Sequence, residues 1–172
     1  MNNKDQKGKY NNYNSFFRGK EEIIFLEHTA DAEFIVFARS LRTLFELSMQ
    51  AVFSIMFDIK EIKSVMKKKV VVESESLAQL LFDFLNELLV IFDSEFFIPV
   101  KISSFKHEYN NNTNDKSKRA INKVIVEVQG DDSKKYKPKG NDVKAITYHN
   151  YIVNKIRVSD ETWYYCHIIV DI

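Results

Sequence analysis

Asp31 stands in the run Glu27-His28-Thr29-Ala30-Asp31-Ala32-Glu33, and Asp171 is the penultimate residue, one position before the α-carboxylate of Ile172. Three negative oxygen donors gathered in one place repel one another unless a cation lies among them. Such hard donors suit Ca²⁺, Mg²⁺ or Mn²⁺ rather than Zn²⁺. Spacing by itself leaves open whether Asp31 meets the chain end. His28 suits a turn cap or a carbonyl partner better than ligation, because no His-x-x-x-His or Cys-x-x-Cys pairing accompanies it. Lys144 opens the run Lys144-Ala145-Ile146-Thr147-Tyr148-His149. A lysine at a strand end is ordinarily solvated, but its ammonium also fits a phosphate or a partner's carboxylate. His149 and His167 fall on late strands, at the core edge or the surface. No Gly-x-x-x-x-Gly-Lys, Gly-x-Gly-x-x-Gly or Gly-x-Ser-x-Gly occurs, and with 4 glycines a nucleotide-cradling loop is not expected.

The elements that must hold these groups are readable from periodicity. Apolar runs Ile23–Leu26 and Phe34–Ala38 flank the polar stretch, so Asp31 lies at or between strand ends. Ser40 can cap a helix whose face carries Leu41, Leu44, Phe45, Ser48, Val52, Ile55 and Met56, closed by Asp58. Met49, Ala51 and Phe53 make it apolar on more than one side, which predicts deep burial against a sheet. A strand over about 68–75 follows. Ser76-Leu77-Ala78-Gln79 then has the form of a capping box, opening a helix with the stripe Leu77, Leu80, Leu81, Phe84, Leu85, Leu88 and Phe92. Asp83, Asn86, Glu87 and Asp93 on its other faces read as solvated. Further strands are expected over about 98–106, 123–129, 144–156 and 163–171. In the last, Tyr164, Cys166, Ile168 and Val170 form a core face, and Trp163, Tyr165, His167, Ile169 and Asp171 a mixed one. The expected class is α+β, two helices packed on largely antiparallel β-sheets.

A chain of 172 residues is long enough for one domain around a single core. Residues 1–20, rich in Asn, Lys, Gly and Ser, read as a disordered arm, and 21–172 as the domain, with a flexible Asn-rich insert at 108–122. Basic and acidic residues balance at 25 against 24, so no overall field would hold the protein on nucleic acid or membrane. RNA contact is therefore expected only locally or through a partner. The lone Cys166 can form no internal disulfide, no apolar leader core precedes the domain, and no apolar stretch approaches the roughly 20 residues of a membrane span. The expectation is a soluble protein of cytoplasm or nucleus.

Five segments, in order, resemble the archease family: His28-Thr29-Ala30-Asp31, the helix leading to Met56-Phe57-Asp58, Glu95-Phe96-Phe97-Ile98-Pro99, Val143–His149, and the terminal Ile169-Val170-Asp171-Ile172. The Phe-Phe-Ile-Pro segment resembles eukaryotic members. The resemblance implies an α+β fold and a non-catalytic accessory protein of the RNA-splicing ligase that joins tRNA halves. Such a protein promotes guanylylation of the ligase by GTP and its multiple turnover, and meets RNA only through the ligase. It also implies a divalent metal, Ca²⁺ foremost, on Asp31, Asp171 and the Ile172 carboxylate, with Lys144 and His28 on the activating side. The loop before Lys144 departs from relatives that carry a His and a Glu there, offering Tyr136-Lys137 and Asp142. The rival reading of the same carboxylates is a stand-alone metal-dependent phosphoesterase or RNA-processing enzyme.

Overall fold

The computed structural model describes residues 13–27, 31–110 and 120–172. Strands β1 (Glu22–Leu26) and β2 (Asp31–Ala38) precede helix α1 (Leu41–Met56), strand β3 (Met66–Ser74) and helix α2 (Leu77–Glu95). Strands β4 (Phe97–Asn110), β5 (Ile121–Asp132), β6 (Ala145–Ile146), β7 (Ile152–Val158) and β8 (Glu161–Asp171) complete the described elements. All pairings among them are antiparallel. One sheet has five strands in the order β1-β2-β8-β6 with β7 also on β8, and the other has three in the order β3-β5-β4. The chain has the expected α+β architecture.

Both helices begin where the sequence predicts. Ser40 accepts the Thr43 amide and Ser76 the Gln79 amide, satisfying amides that a first turn leaves unpaired. The helices form the middle layer: α1 packs on β2 and β8 on one side and β4 on the other, while α2 packs on β3, β4 and β5 and on β6 and β7. That position explains why α1 is apolar beyond one stripe, with Ser48, Met49, Ala51, Val52 and Phe53 all fully buried. Rings of the layers interlock, Phe45 lying 5.0 Å from Phe84 and 5.3 Å from Phe105. Among the described residues no helix is long and apolar enough to cross a membrane.

Three expectations are corrected. The β4–β5 hairpin runs through Glu108, Tyr109 and Asn110 and resumes at Ile121 and Asn122, so the insert expected at 108–122 is strand at both ends; residues 111–119 lie outside the described ones. Its ends read as loop because this ribbon carries ion pairs instead of apolar alternation, Lys106 with Glu108 and Lys123 with Glu73. The strand expected over 144–156 is two, β6 and β7. Asn150 adopts φ +53° in the turn between them, a conformation Asn tolerates, and the Tyr151 amide donates to the Tyr148 carbonyl. The arm expected over 1–20 is packed from Tyr13 onward, residues 1–12 lying outside the description. Tyr13 is 9% exposed with its ring 4.9 Å from Tyr165, and Phe17 lies 4.9 Å from Trp163 and 5.2 Å from Phe37.

The last correction has a single cause. β8 is an interior strand buried on both faces, so its second face is also core. Cys166, Ile168 and Val170 join the helical layer, while Trp163 and Tyr165 form a second cluster with Ile35 and Phe37 on the outer face of the sheet. That cluster needs a cover, and the Tyr13–Phe17 stretch supplies it.

Candidate metal centre

The β2–β8 ladder aligns Asp31 with Asp171. Residues directly opposite in an antiparallel pair project from the same face, with Cβ atoms about 4.5–5.5 Å apart. The first residue of β2 and the last of β8 therefore set two carboxyl groups side by side at the end of the sheet. On the other edge of β8, Ala145 of β6 is also in register with Asp171, and the Lys144 amide donates to the Asp171 carbonyl at 2.9 Å. Lys144 Nζ donates to a main-chain oxygen of Ile172 at 3.1 Å and lies 4.0 Å from Asp171 Oδ1. The Ile172 side chain packs against the main core, which anchors the terminus.

Like charges placed directly opposite in a sheet are destabilising, as Asp31 and Asp171 are here. Lys144 supplies one positive charge beside Asp171 and Ile172. The side chains of Asp171 and Lys144 are 51% and 62% exposed, so the site is open to ions and to a partner. Its oxygen donors match a hard divalent cation. Among the described residues no three His, Cys, Asp or Glu side chains gather as a metal cluster. What the register brings together is two side-chain carboxylates, with the main chain of Ile172 beside them. His28 lies outside the described residues.

Sequence reasoning missed what stands next along the same face. His167, left open between core edge and surface, is 2% exposed. Its Nε2 lies 2.5 Å from Glu33 Oε1, and its Nδ1 donates to the Asn150 carbonyl at 3.0 Å and lies 3.4 Å from the Tyr13 hydroxyl. This contact cross-links β2 and β8 just inside the acidic end, and the only signal for it was that Glu33 and His167 share the face of Asp31 and Asp171. Thr147 ties the next turn to β8, its amide and its hydroxyl both donating to the Ile169 carbonyl at 3.0 Å. Tyr148 stacks on Phe82 at 3.8 Å. Asp83, read as solvated, accepts from Ser74 and Gln79 and holds β3 to α2. Cys166 is fully buried 3.3 Å from the Ser48 hydroxyl, and burial pushes its thiol up to about 12, far from a reactive thiolate.

The model of the Archease protein family (MTH1598/TM1083) matches residues 24–172. Protein archease of Pyrococcus abyssi is 34% identical over 136 residues, covering 76% of this chain and 86% of the relative. The protein of that name from Thermococcus gammatolerans is 36% identical over 134 residues, with the same coverage of 76% and 86%. The solution structure of Methanobacterium thermoautotrophicum protein 1598 superposes with a TM-score of 0.64 at 23% identity, covering 87% of this chain and 98% of that one, a likeness of fold. With a family match that runs from β1 to the last residue, the chain belongs to the archease protein family.

Proposed function

We propose that this protein is a metal-binding accessory protein of the RNA-splicing tRNA ligase, promoting the ligase's guanylylation by GTP and its repeated turnover. Family membership supports an accessory role in RNA processing. The observation that carries the finer reading is the register of Asp31 with Asp171 beside the Ile172 terminus, with Lys144 reaching that terminus from the neighbouring strand. Asp31, Asp171 and the Ile172 carboxylate would hold the cation, Ca²⁺ first and Mg²⁺ or Mn²⁺ as substitutes. When bound, a divalent cation supplies a concentrated positive charge able to meet phosphate or carboxylate oxygens.

The chain's own residues do the positioning. The β2–β8 ladder and the Glu33–His167 contact set the spacing of the two aspartates. Burial of the Ile172 side chain aims the terminal carboxylate. Lys144 holds that carboxylate and presents an exposed ammonium to the nucleotide phosphates or an acidic group of the ligase. On this reading the role is non-catalytic, and protein and RNA partners meet at the ligase in cytoplasm or nucleus.

The decisive experiment compares the native chain, Asp31→Ala and a form extended by a C-terminal tag. Each is tested by Ca²⁺ calorimetry and by multiple-turnover ligation with the protein at substoichiometric level. A tag converts the terminal carboxylate into a neutral amide. Both changes should weaken Ca²⁺ binding by at least the roughly 10–100-fold that second-shell losses cost in metal sites, and both should abolish activation. An N-terminal tag should do neither. Phosphoester turnover by the pure protein without ligase would instead establish the hydrolytic reading.

A further inference from the structure

The Glu95–Pro99 segment, which carries part of the family resemblance, has no part in the acidic site. Phe96 ends α2 in the left-handed conformation, φ +58° and ψ +27°, at a helix position where glycine is favoured. Its backbone is tied on both sides: the amide donates to the Phe92 carbonyl, and the carbonyl accepts the Ser133 amide at 2.6 Å. Phe96 is 46% exposed, with Lys134 Nζ 3.9 Å over its ring. An exposed aromatic ring held by strained backbone marks a surface with a task.

Lysines surround it. The stretch Ser133-Lys134-Lys135-Tyr136-Lys137-Pro138-Lys139-Gly140 contains 4 lysines and no acidic residue. Tyr136 accepts the Lys63 amide at 3.0 Å, which brings the loop carrying Lys60 and Lys63 alongside. Acidic residues face this end too: Asp131 is held by Lys135 and Tyr136 and Glu95 by Lys68, Asp132 and Asp58 accept backbone amides and keep their charge, and Glu61, Asp93 and Asp142 are exposed, so the lysines that carry the contact are those closest to the ring. Lys134 and Lys137 stay exposed.

This surface lies at the same end of the molecule as the acidic site. Helix α1, about 24 Å long, packs back along β2, about 26 Å long, so Met56 returns to the level of Asp31. There the Lys139 amide donates to the Met56 carbonyl and its ammonium to the Ser54 carbonyl, both at 2.8 Å, and the chain continues into Lys144. One continuous segment thus leads from Phe96 to the activating lysine.

We propose that Phe96, Lys134 and Lys137 form a contact for single-stranded RNA, the ring stacking on a base and the ammonium groups meeting flanking phosphates. An acidic protein would use the charges alone, whereas a base can also stack on the exposed part of the ring that steadies Lys134. The proposal extends the ligase reading and departs from the expectation that RNA is met only through the ligase: RNA ends held by the ligase against the acidic site would have their leading strand drawn along this loop.

The test measures fluorescence anisotropy of a labelled uridine oligonucleotide with the full chain, free of ligase, over a salt series. Charge reversal, Lys134→Glu with Lys137→Glu, should weaken binding more than tenfold and lower the salt slope by about 1.4, two single-strand phosphates at about 0.7 each. Phe96→Gly relieves the backbone and so keeps the fold; it should weaken binding about tenfold with an unchanged slope. Neither variant should alter Ca²⁺ titration or guanylylation of the ligase without RNA. Absence of oligonucleotide binding, or indifference to these substitutions, overturns the proposal, as does polyglutamate competing as well as RNA with Phe96→Gly silent. If the native chain fails to activate the ligase, the oligonucleotide results still decide this surface independently.

Discussion

Lys144 donates to a main-chain oxygen of Ile172 and is largely exposed, and substitution separates the two roles proposed for it, anchoring the chain end and presenting a charge outward. Lys144→Ala should leave Ca²⁺ affinity unchanged or raised, since a competing cation is gone. It should lower ligation turnover about 10–100-fold, the worth of one charge-assisted hydrogen bond. Lys144→Arg keeps the charge but changes its shape and hydration, so a partial defect would point to a fitted contact. Calorimetry beside ligation kinetics checks both. Asp131 makes a second prediction at this scale. Its carboxylate is 1% exposed and accepts from Lys135 Nζ at 2.6 Å, the Tyr136 hydroxyl at 2.7 Å and the Asp132 amide at 2.8 Å. The hydrogen bond from Lys135, then that from Tyr136, lowers it from 3.8 to about 2. A depressed carboxylate contributes stability above its unfolded value and loses it as pH falls through the folded one. Asp131→Asn should therefore be less stable than the native chain at neutral pH, and the two should converge as pH drops from 3.8 toward about 2. Thermal melts across that range decide it; a gap that persists at the acid end would mean that shape, not charge, holds the site.

At the scale of elements, the β4–β5 pair carries a constraint that no composition reveals. Gly130 faces Pro99 where the register of β4 shifts, and a Cβ there would lie 1.8 Å from the Ile98 carbonyl oxygen. Backbone cannot yield as a flexible side chain does. Gly130→Ala should cost about 3 kcal/mol, the upper range for overpacking, as read by urea unfolding. The two helices, by contrast, were legible before any tertiary structure, because a cap side chain and a repeating apolar stripe are local facts. The strand break at 147–151 was not: the run Ile146-Thr147-Tyr148 has strand-forming residues, but the stacking of Tyr148 on Phe82 of α2 rewards a turn instead.

For the molecule as a whole, stability depends on covering both faces of the five-stranded sheet. The helical layer covers one, and Tyr13 and Phe17 cover part of the other. Tyr13→Ala with Phe17→Ala should lower stability by about 2–4 kcal/mol, somewhat below two full core truncations because the site lies at the edge. It should also increase self-association through the bared Phe37, Trp163 and Tyr165, which light scattering would report. Unchanged stability would show that the aromatic contacts are incidental. Cys166 gives an independent probe of global opening. With its thiol at about 12 and no exposed surface, alkylation at neutral pH should be negligible in the native chain and should rise with the unfolded fraction. Fast labelling under native conditions would mean that β8 opens locally.

The sequence by itself determined the class of fold, both helix starts and the core face of β8, and its ordered motifs singled out Asp31, Asp171, Ile172 and Lys144 as candidates. Each of these is written in short-range pattern: a cap, a period of two or near four, a chain end, a cluster of motifs in order. What only the tertiary structure decided is which distant residues stand together. The register that sets Asp31 against Asp171, the Glu33–His167 contact, the burial of a second face of β8 and the approach of Lys134 to Phe96 all arise from pairings between segments far apart in the chain. Such pairings are chosen by the packing of whole layers. A slip of one residue would turn every side chain of a strand to the other face, so register follows from the sum of buried contacts along the ladder, a quantity no local window contains.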